Sequence, residues 1–576
     1  MKQREVLIIF KTHLDIGFTD YASNIIEKYL KQYIPNAIKI GYELKDSNTP
    51  FIWTVGSWLI DQALKHDEDG VVEKAIRDGI LNWHALPFTT HTELMNTQLF
   101  EKALDISKRL DERFGKKTIA AKMTDVPGHT IGMVPLLYDR GIEFLHIGVN
   151  PATPLPPVPP IFKWKLNNKE ITVMYQGDYG KKEEFEDFII YFAHTGDNLG
   201  PQNSEQIIKI YNEIQAEYPT AIIKAATLND AAERIASLKN LPTIENEIGD
   251  TWIHGAATDP QKISRFRNAI KHIDKETDLS DSLLLVPEHT WGMDVKKFFH
   301  NETDFFPEEL AARKQKRHII EASWQEQRAY VEKAESVLGI TPDYPTNEPD
   351  LKEFEEIEIP LDYGLEVSWQ IFDNYDYARY QKDYMRCLPN WAIWDFTKVG
   401  LPEYQGAIYT ANATRAYKKC EKVLLKLEFS PDISQKYGLP YFYLELSPNF
   451  IELKWFNKKA CRLPQACWLK FNKLKENWQL HKLGHWHNPE DVIGSPLICA
   501  VDKGVRNRQF MICPIDSALV APFGRRLLQY NCADIEQDLY FNLYNNIWNT
   551  NFPMWYDDDA VFRFAVEKIT KNEEKA

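Results

Sequence analysis

Short hydrophobic runs alternate with amphipathic stretches over roughly the first 290 residues of the chain. The runs that we predict as strands are EVLIIF, FIWTVG, ILNWHAL, TIAAKMTDV, FLHIGV, ITVMYQ, IIYFA, AIIKAAT and SLLLVPEH. The spacing of apolar residues in NIIEKYLKQYIPNAIKIGYELK and SEQIIKIYNEIQAEYP predicts helices between them. Alternating strands and helices are typical of an α/β domain with a parallel sheet or barrel. Functional residues in such domains lie where the strands end.

The pattern changes twice in the second half of the chain. The segment FPEELAARKQKRHIIEASWQEQRAYVEKAESVLG has helical periodicity and ends at Gly339, and the acidic, proline-rich segment after it predicts a linker. Beyond about residue 355, short runs of alternating hydrophobic and polar residues indicate an antiparallel β-sandwich. We therefore predict an α/β domain, with a parallel sheet or barrel, over residues 1–294, a helical region over 295–345 and a β-sandwich-rich region over 346–576.

Two further segments carry predictions about loops and surfaces. NPATPLPPVPPIFKW contains six prolines, which predicts a loop over the sheet, with a position over a cleft left open. NYDYARYQKDY, residues 374–384, is rich in aromatic and charged residues. We predict a polar surface there, and the alternative is a sandwich loop that reaches the cleft.

The composition limits the classes of partner. The net charge of −15 repels nucleic acid and anionic membranes, so we expect no binding to either. No apolar run is long enough to cross a membrane, and the run at the N-terminus is too short for a signal peptide. All seven cysteines lie beyond residue 386 without a CxxC pair, which favours reduced thiols and a cytoplasmic location. Homo-oligomerisation stays open.

A histidine and an aspartate follow the first predicted strand, in the sequence KTHLDIG. Because residues i and i+2 of a strand face the same side, His13 and Asp15 are predicted to point the same way. An imidazole and a carboxylate on one face are suitable ligands for a metal ion. The alternative is a strand that ends in polar residues, with Asp15 capping the next element.

Four other polar clusters follow predicted strands. Their residues are Asp125 in TDVPGH, Asp197 in HTGDNLGPQN, Glu288 and His289 in VPEHTWG, and Asp250, His254 and Asp259 in GDTWIHGAATDP. A divalent cation is well held by two imidazoles and two carboxylates. The residues that we predict to supply them are His13, Asp15, Asp125 and His289, with His254 as the rival for the fourth position. Two acids beside a glycosidic bond can act as nucleophile and proton donor, and Asp125 and Asp197 are the candidates.

These motifs, in this order, resemble those of glycoside hydrolase family 38, the zinc-dependent retaining α-mannosidases. HLD at positions 13–15 resembles the family's His-Asn-Asp ligand pair, and TDVPGHT resembles its Asp-Pro-Phe-Gly-His-Ser segment. HTGDNLG resembles its Gly-Asp-Asp-Phe stretch, and VPEHTWGMD resembles its His-His-Asp segment. The order of an α/β barrel, helices and a β-sandwich also agrees with the family.

The resemblance implies one Zn²⁺ per chain, held by the four ligands named above. It implies that Asp125 is both a zinc ligand and the nucleophile, and that Asp197 is the acid/base. It further implies that residues 1–294 form the catalytic domain, a parallel (β/α) barrel of the family 38 / polysaccharide deacetylase-like type. The implied substrate is a carbohydrate, either an α-mannoside or a related glycoside.

The sequence departs from the family around the substrate. Ile16 and Phe18 stand where the family has proline and tryptophan, and Trp291 stands where it has a sugar-binding aspartate. Residues that replace family acids after the third strand are His84, His91 and Glu93. The metal site and the reaction type are therefore better supported than mannose as the sugar.

Substrate contacts are predicted from residues near these motifs. The candidates are His91, Trp252, His254, Asp259 and Trp291. The tryptophans can stack on a sugar ring, but they suit a hydrophobic core equally well. Two other classes of function stay open, and a metal-dependent deacetylase or polysaccharide lyase on the same barrel is one of them. The other is a non-catalytic carbohydrate-binding protein.

Overall fold

The computed structural model describes most of the chain, namely residues 3–274, 281–299, 303–472, 478–495, 498–530 and 538–569. Among the predicted features, Cys532 lies outside these residues. The six cysteines that the structure describes form no disulfide with one another. Within the same ranges, no helix is both long and apolar enough to cross a membrane.

The N-terminal region alternates strands and helices, as the hydrophobic pattern predicts. Its strands are β1 (Glu5–His13), β2 (Trp53–Gly56), β3 (Leu81–His84), β4 (Ala120–Asp125), β5 (Phe144–Val149), β6 (Ile161–Leu166), β7 (Lys169–Gln176), β8 (Glu183–Glu184), β9 (Phe188–Asp197), β10 (Ile222–Ala225), β11 (Thr243–Ile244) and β12 (Glu247–Gly249). Its helices are α1 (Ala22–Lys28), α2 (Ile34–Leu44), α3 (Ser57–Lys65), α4 (Val71–Arg77), α5 (Thr97–Phe114), α6 (Met133–Asp139), α7 (Ser204–Glu217) and α8 (Leu228–Ile235). A π-helical turn, Tyr29–Tyr33, joins α1 to α2.

Apart from β12, these strands form two mainly parallel sheets. The first has the order β3–β2–β1–β9–β8, with β10 beside the start of β1, and the second has the order β11–β6–β7–β5–β4. One hydrogen bond, from the amide of Ala85 to the carbonyl of Ala120 (3.0 Å), links the end of β3 to the start of β4. The α/β class is therefore confirmed. Among the described residues, the hydrogen-bonded strand pairs form two separate sheets, so a closed barrel is not confirmed.

Alternate residues of the strands fill the space between the two sheets. Leu7 and Ile9 of β1 pack in one cluster with Ala120 of β4, Phe144 of β5 and Met174 of β7. Because side chains alternate between the two faces of a strand, the residues two and four positions further along also point into this interior. The carboxyl ends of the strands thus bring polar side chains together between the sheets.

A helical region follows the α/β sheets. Its helices are α9 (Pro260–Ala269), α10 (Asp281–Leu285), α11 (Val295–Phe298), α12 (Pro307–Ala311) and α13 (Lys314–Leu338). The end of α13 is confirmed, since Gly339 has φ 66° and caps the helix. SLLLVPEH, predicted as a strand, contains α10 instead. Leu283, Leu284 and Leu285 are all buried, and a continuous apolar run does not distinguish a buried helix from a buried strand.

The C-terminal region is mainly antiparallel sheet. Its strands are β13 (Glu355–Ile357), β14 (Leu365–Ile371), β15 (Ala407–Thr410), β16 (Asn412–Lys419), β17 (Lys422–Glu428), β18 (Tyr441–Ser447), β19 (Phe450–Phe456), β20 (Gln465–Phe471), β21 (Gln479–Lys482), β22 (His485–His487), β23 (Val492–Gly494), β24 (Cys499–Ala500), β25 (Val505–Arg506), β26 (Phe510–Pro514), β27 (Leu519–Ala521), β28 (Leu539–Asn545) and β29 (Ala560–Lys568). Its helices are α14 (Asn374–Tyr384), α15 (Asn390–Phe396) and α16 (Pro431–Tyr437).

Two antiparallel sheets pack face to face in this region. One has the order β13–β16–β17–β18–β19–β29–β26–β25–β21–β22, and the other has the order β15–β14–β20–β28–β27–β24. Trp369 of β14 meets Trp455 of β19 across the gap, with ring centroids 5.7 Å apart. Large aromatic side chains therefore fill the space between the sheets, as expected of a β-sandwich.

The N- and C-terminal regions share a buried junction. Strand β12 pairs in parallel with β23, where Glu247 lies opposite Val492. Helix α14 carries the segment predicted as a polar surface, but Tyr377, Tyr380 and Tyr384 are buried. That prediction is wrong because three of the aromatic residues share one helix face at i, i+3 and i+7, and this face packs inward. The predicted boundaries at residues 294 and 345 stay predictions.

Candidate active site

A cavity of about 370 Å³ lies where strand ends of the N-terminal region meet the C-terminal region. Its lining residues are Asp15, Phe18, Asp125, Asn150, Pro151, Asp178, Tyr179, Gly196, Asp197, Trp252, His289, Trp391, Asp395, Phe396, Trp548, Thr550, Asn551 and Phe552. We call His13, Asp15, Asp125, Asp197 and His289 the metal side. We call Trp391, Asp395, Phe396, Trp548 and Phe552 the aromatic wall. The proline-rich segment after β5 reaches the cavity through Asn150 and Pro151, so it does border a cleft.

Local irregularities at two strand ends aim the acids into the cavity. Strand β9 pairs residue for residue with β1 up to Thr195, and the register then shifts, so that Asp197 lies opposite His13. This bulge at Gly196 turns Asp197 to the inner side, where strict alternation would place the glycine. Asp125, the last residue of β4, has φ 80°, which re-aims its side chain in the same way.

Four polar atoms of the metal side cluster closely. The Nε2 atoms of His13 and His289 are 3.2 Å apart, and each lies near Oδ1 of Asp15, at 3.1 Å and 3.0 Å. Oδ2 of Asp125 lies 3.7 Å from Nε2 of His289. Four ligands about 2.0–2.2 Å from a tetrahedral Zn²⁺ lie about 3.3–3.6 Å from one another. The contacts around the two imidazoles are close to this spacing, and the ligand atoms of His13, Asp125 and His289 all lie within 4.8 Å of one another. These three residues can therefore surround one divalent cation, with Asp15 in contact with both imidazoles.

The protonation of the site also fits a cation. Nδ1 of His289 lies 2.6 Å from Oε1 of Glu288 and donates its proton there, so in the neutral ring the lone pair of Nε2 is directed at the cluster. Burial lowers the pKa of His289, but the carboxylates of Glu288 and Asp15 outweigh burial and raise it, so the cluster favours positive charge at this position. Oδ2 of Asp15 is buried without a hydrogen-bond partner among the described residues. These residues thus form a negative, partly unsatisfied site that suits a metal ion.

Two neutral side chains hold the Asp125 carboxylate. Its Oδ1 accepts hydrogen bonds from the hydroxyl of Tyr179 (2.6 Å) and from Nδ2 of Asn150 (3.0 Å). Burial, together with the charges of Asp125 and Asp197, raises the pKa of Tyr179 well above its usual value, so the phenol stays a donor. The carboxylate is thereby fixed with its second oxygen toward His289.

The environment of Asp197 differs from that of Asp125. Burial and, after it, the charges of Asp15 and Asp125 raise the pKa of Asp197 to about 6, against the opposing effect of His13. The side chain also lies within hydrogen-bonding reach of Tyr179. A ligand atom of Asp197 lies within 4.8 Å of those of His13 and Asp15. Asp197 thus keeps its proton to a higher pH than an unperturbed aspartate does.

The predicted substrate residues are distributed unequally. Trp252 lines the cavity, whereas His91, His254, Asp259 and Trp291 are buried and are not among the lining residues. Asp259 caps α9 and pairs with Arg328 at 2.6 Å. His254 makes no ring hydrogen bond within the described chain, and it lies apart from the metal cluster. The positions of these four buried residues do not support contact with a substrate. Their role in substrate binding stays a prediction.

Sequence reasoning missed Tyr179 and the aromatic wall. Tyr179 follows β7 in a loop without a motif, and its role depends on contact with Asp125. Trp391 and Asp395 lie four residues apart on α15, so they share a helix face. The spacing of Trp391 and Asp395 in the stretch NWAIWDF indicates a shared helix face, but the neighbouring sequence does not indicate that this face lines the cavity. Burial raises the pKa of Asp395 to about 7, and its ion pair with Lys296 opposes this effect.

Comparisons with known proteins agree with the fold. A family model described as a domain of unknown function, DUF5054, matches residues 256–344. No curated protein matches the sequence. An alpha-mannosidase from Enterococcus faecalis V583 is similar over 100% of this chain and 88% of its own, with a TM-score of 0.61 and 9% identity. A protein in glycosyl hydrolase family 38 from Enterococcus faecalis is similar over 100% of this chain and 87% of its own, with a TM-score of 0.55 and 8% identity. The chain therefore has the fold of these structures.

Proposed function

We propose that the protein is a metal-dependent glycoside hydrolase that cleaves an α-mannoside or a related glycoside with retention of configuration. The observation that carries this proposal is the pair of differently held acids, Asp125 and Asp197, beside a metal-ligand set in one cavity. The fold shared with an alpha-mannosidase structure supports the substrate class. The cavity of about 370 Å³ has a volume suited to a small ligand such as one sugar unit.

Asp125 is the proposed nucleophile. Its carboxylate attacks the anomeric carbon while the bond to the leaving oxygen breaks, which gives a covalent glycosyl-enzyme. The hydrogen bonds from Tyr179 and Asn150 orient the carboxylate for this attack. A retaining enzyme holds its two carboxyl groups about 5–5.5 Å apart. Contact of Tyr179 with both acids supports that shorter separation.

Asp197 is the proposed acid and base. It gives its proton to the leaving oxygen in the first step, and its raised pKa supports this role. In the second step, the Asp197 carboxylate takes a proton from water. That water displaces Asp125 from the anomeric carbon, so the product keeps the configuration of the substrate.

The proposed cofactor is one Zn²⁺ held by His13, Asp15, Asp125 and His289. When bound, Zn²⁺ would supply a Lewis-acidic centre that orients sugar hydroxyls and favours a distorted ring. Glu288 fixes the tautomer of His289 through its hydrogen bond, which keeps Nε2 available as a ligand atom.

A panel of aryl α- and β-glycosides, assayed with chelator or with Zn²⁺, tests the proposal. We expect hydrolysis of an α-mannoside or a related glycoside only with Zn²⁺, and NMR of the first product should give the retained anomer. Acetate release from acetylated glycans without glycoside cleavage would favour the deacetylase alternative. An inverted product would remove Asp125 from the role of nucleophile.

A further inference from the structure

Below the metal side, the interior between the two sheets is basic. The inward positions that precede the ligands carry Lys11 on β1, Lys122 on β4, His146 on β5 and His194 on β9, and His84 ends β3. These positions continue the apolar inner faces one step toward the carboxyl ends of the strands. A buried layer that is rich in cations and imidazoles therefore separates the hydrophobic interior from the metal side.

A small chamber of about 30 Å³ lies within this layer. Its lining residues are Lys11, Thr12, His13, Leu14, Val55, Gly56, Leu59, His84, Pro87, Phe88, Thr89, Lys122 and Thr124. None of these lining residues is an aspartate or a glutamate. The volume has room for one water molecule or one monatomic ion. The chamber thus combines a positive lining with the size of a single small occupant.

Hydrogen bonding leaves part of this lining unsatisfied. Nζ of Lys122 contacts Nδ1 of His146 (2.6 Å) and the carbonyl of Tyr179 (2.5 Å). Nζ of Lys11 has a long contact, 3.5 Å, with the hydroxyl of Thr124. Nδ1 of His84 is buried without a partner among the described residues. The donors of Lys11 and His84 are therefore available to a group in the chamber.

We propose that this chamber binds a chloride ion, coordinated by Nζ of Lys11 and by donors of His84, Lys122 and Thr124. Lys11 and Lys122 are only 4% and 1% exposed, no carboxylate lines the chamber, and buried donors without an acceptor are costly. A monatomic anion accepts from these donors within the space available, whereas phosphate or sulfate is too large for it. Burial and the two lysine charges lower the pKa of His84, so its ring contributes a neutral N–H donor.

Crystals soaked in bromide test the site directly, because bromide replaces chloride and scatters anomalously. We expect an anomalous peak in the chamber, within hydrogen-bonding distance of Nζ of Lys11 and Nδ1 of His84. Bromide peaks at the surface with water alone in the chamber would overturn the proposal, because water would then satisfy the donors that line it.

Thermal unfolding provides a test in solution. At constant ionic strength, replacing gluconate by chloride should raise Tm by a few degrees, since an ion that binds the folded state stabilises it. Lys11→Met should abolish the chloride-dependent shift, whereas Lys39→Met, at an exposed lysine, should keep it. His84→Asn serves as a second variant if Lys11→Met does not fold. An equal chloride shift in wild type, Lys11→Met and His84→Asn would contradict the assignment.

Discussion

The two sides of the cavity differ in chemistry and in origin. The metal side consists of titratable residues from the N-terminal region and, in His289, from the helical region. Three of them lie at the ends of β1, β4 and β9, and close contacts link His13, Asp15, Asp125 and His289. The aromatic wall comes from α15 and from residues 548–552, and its one acid, Asp395, is paired with Lys296. The N-terminal region thus carries the proposed reaction, while the C-terminal region shapes the space for the substrate. Changes on the two sides should therefore affect different kinetic constants.

The largest effect is expected from Asp125→Asn on the metal side. The asparagine oxygen can still accept from Tyr179 and Asn150, but the amide is not a nucleophile, so kcat should fall by at least about 10⁴-fold. Steady-state kinetics measure this. Asp178→Asn is the matched control, because Asp178 lines the same cavity outside the metal cluster. A similar loss in both variants would mean that the cavity needs negative charge rather than this nucleophile.

The next largest effect is expected from Asp197→Asn, and it should depend on the leaving group. Substrates with poor leaving groups need a proton donor, so their kcat/KM should fall by about 10²–10⁴-fold, while activated aryl glycosides lose far less. Since the pKa of Asp197 is about 6, the proton is lost as pH rises through that value. The activity of the wild type on substrates with poor leaving groups should accordingly decline above about pH 6. The pH–rate profile of the variant should lack this decline. Equal losses on both substrate types would exclude the acid role.

Glu288→Gln tests whether the metal side depends on its supporting hydrogen bond. Glutamine cannot hold the Nδ1 proton of His289 as strongly, so we expect a loss of about 10–100-fold in Zn²⁺ affinity. Competition with a chromophoric chelator measures this affinity. The effect should be smaller than that of His289→Ala, which removes a ligand. Unchanged affinity in Glu288→Gln would mean that the carboxylate does not orient the ring.

On the aromatic wall, Trp391→Ala should raise KM by about 3- to 10-fold and leave kcat nearly unchanged. Trp391 is 38% exposed on the cavity, where loss of one aromatic stacking contact costs about 0.5–1.5 kcal/mol. Tyr375→Ala, at a 73% exposed aromatic residue of α14 outside the cavity, should change neither constant. A large fall in kcat for Trp391→Ala would break the separation between the two sides.

The smallest effect is expected at the junction between the regions, from Asp250→Asn. Burial raises the pKa of Asp250 to about 7, whereas an unfolded aspartate has a pKa of about 3.9. The folded state therefore keeps a proton that the unfolded state releases, and wild-type stability falls as pH rises from about 4 to 7. The variant keeps an oxygen for the Tyr384 hydroxyl and stays neutral. Its Tm should exceed that of wild type at pH 8 but not at pH 4.

The exposed Asp46→Asn is the control for Asp250→Asn, and calorimetry at both pH values is the measurement. Asp46→Asn should follow wild type at each pH. The same Tm difference at pH 4 and pH 8 in Asp250→Asn would mean that the carboxyl of Asp250 does not titrate in this range.

Much of the metal side was predictable because it follows local rules. The period of two fixes His13 and Asp15 on one face, and parallel strands bring their carboxyl ends to one edge. The bulge before Asp197 was not predictable, because it depends on pairing with β1. Helix α14 was misread for a similar reason, since the burial of Tyr380 and Tyr384 depends on packing against the distant Thr251 and Asp250. The aromatic wall likewise depends on how the C-terminal region docks.

The central claim is that Asp125 forms a covalent bond to the sugar. The most direct measurement is mass spectrometry of peptides after incubation with a mechanism-based fluoroglycoside in the presence of Zn²⁺. The account predicts one glycosyl group per chain, attached to Asp125, and slower turnover of this adduct in Asp197→Asn. Label on another carboxylate, or turnover of glycosides by an enzyme that never becomes labelled, would contradict it.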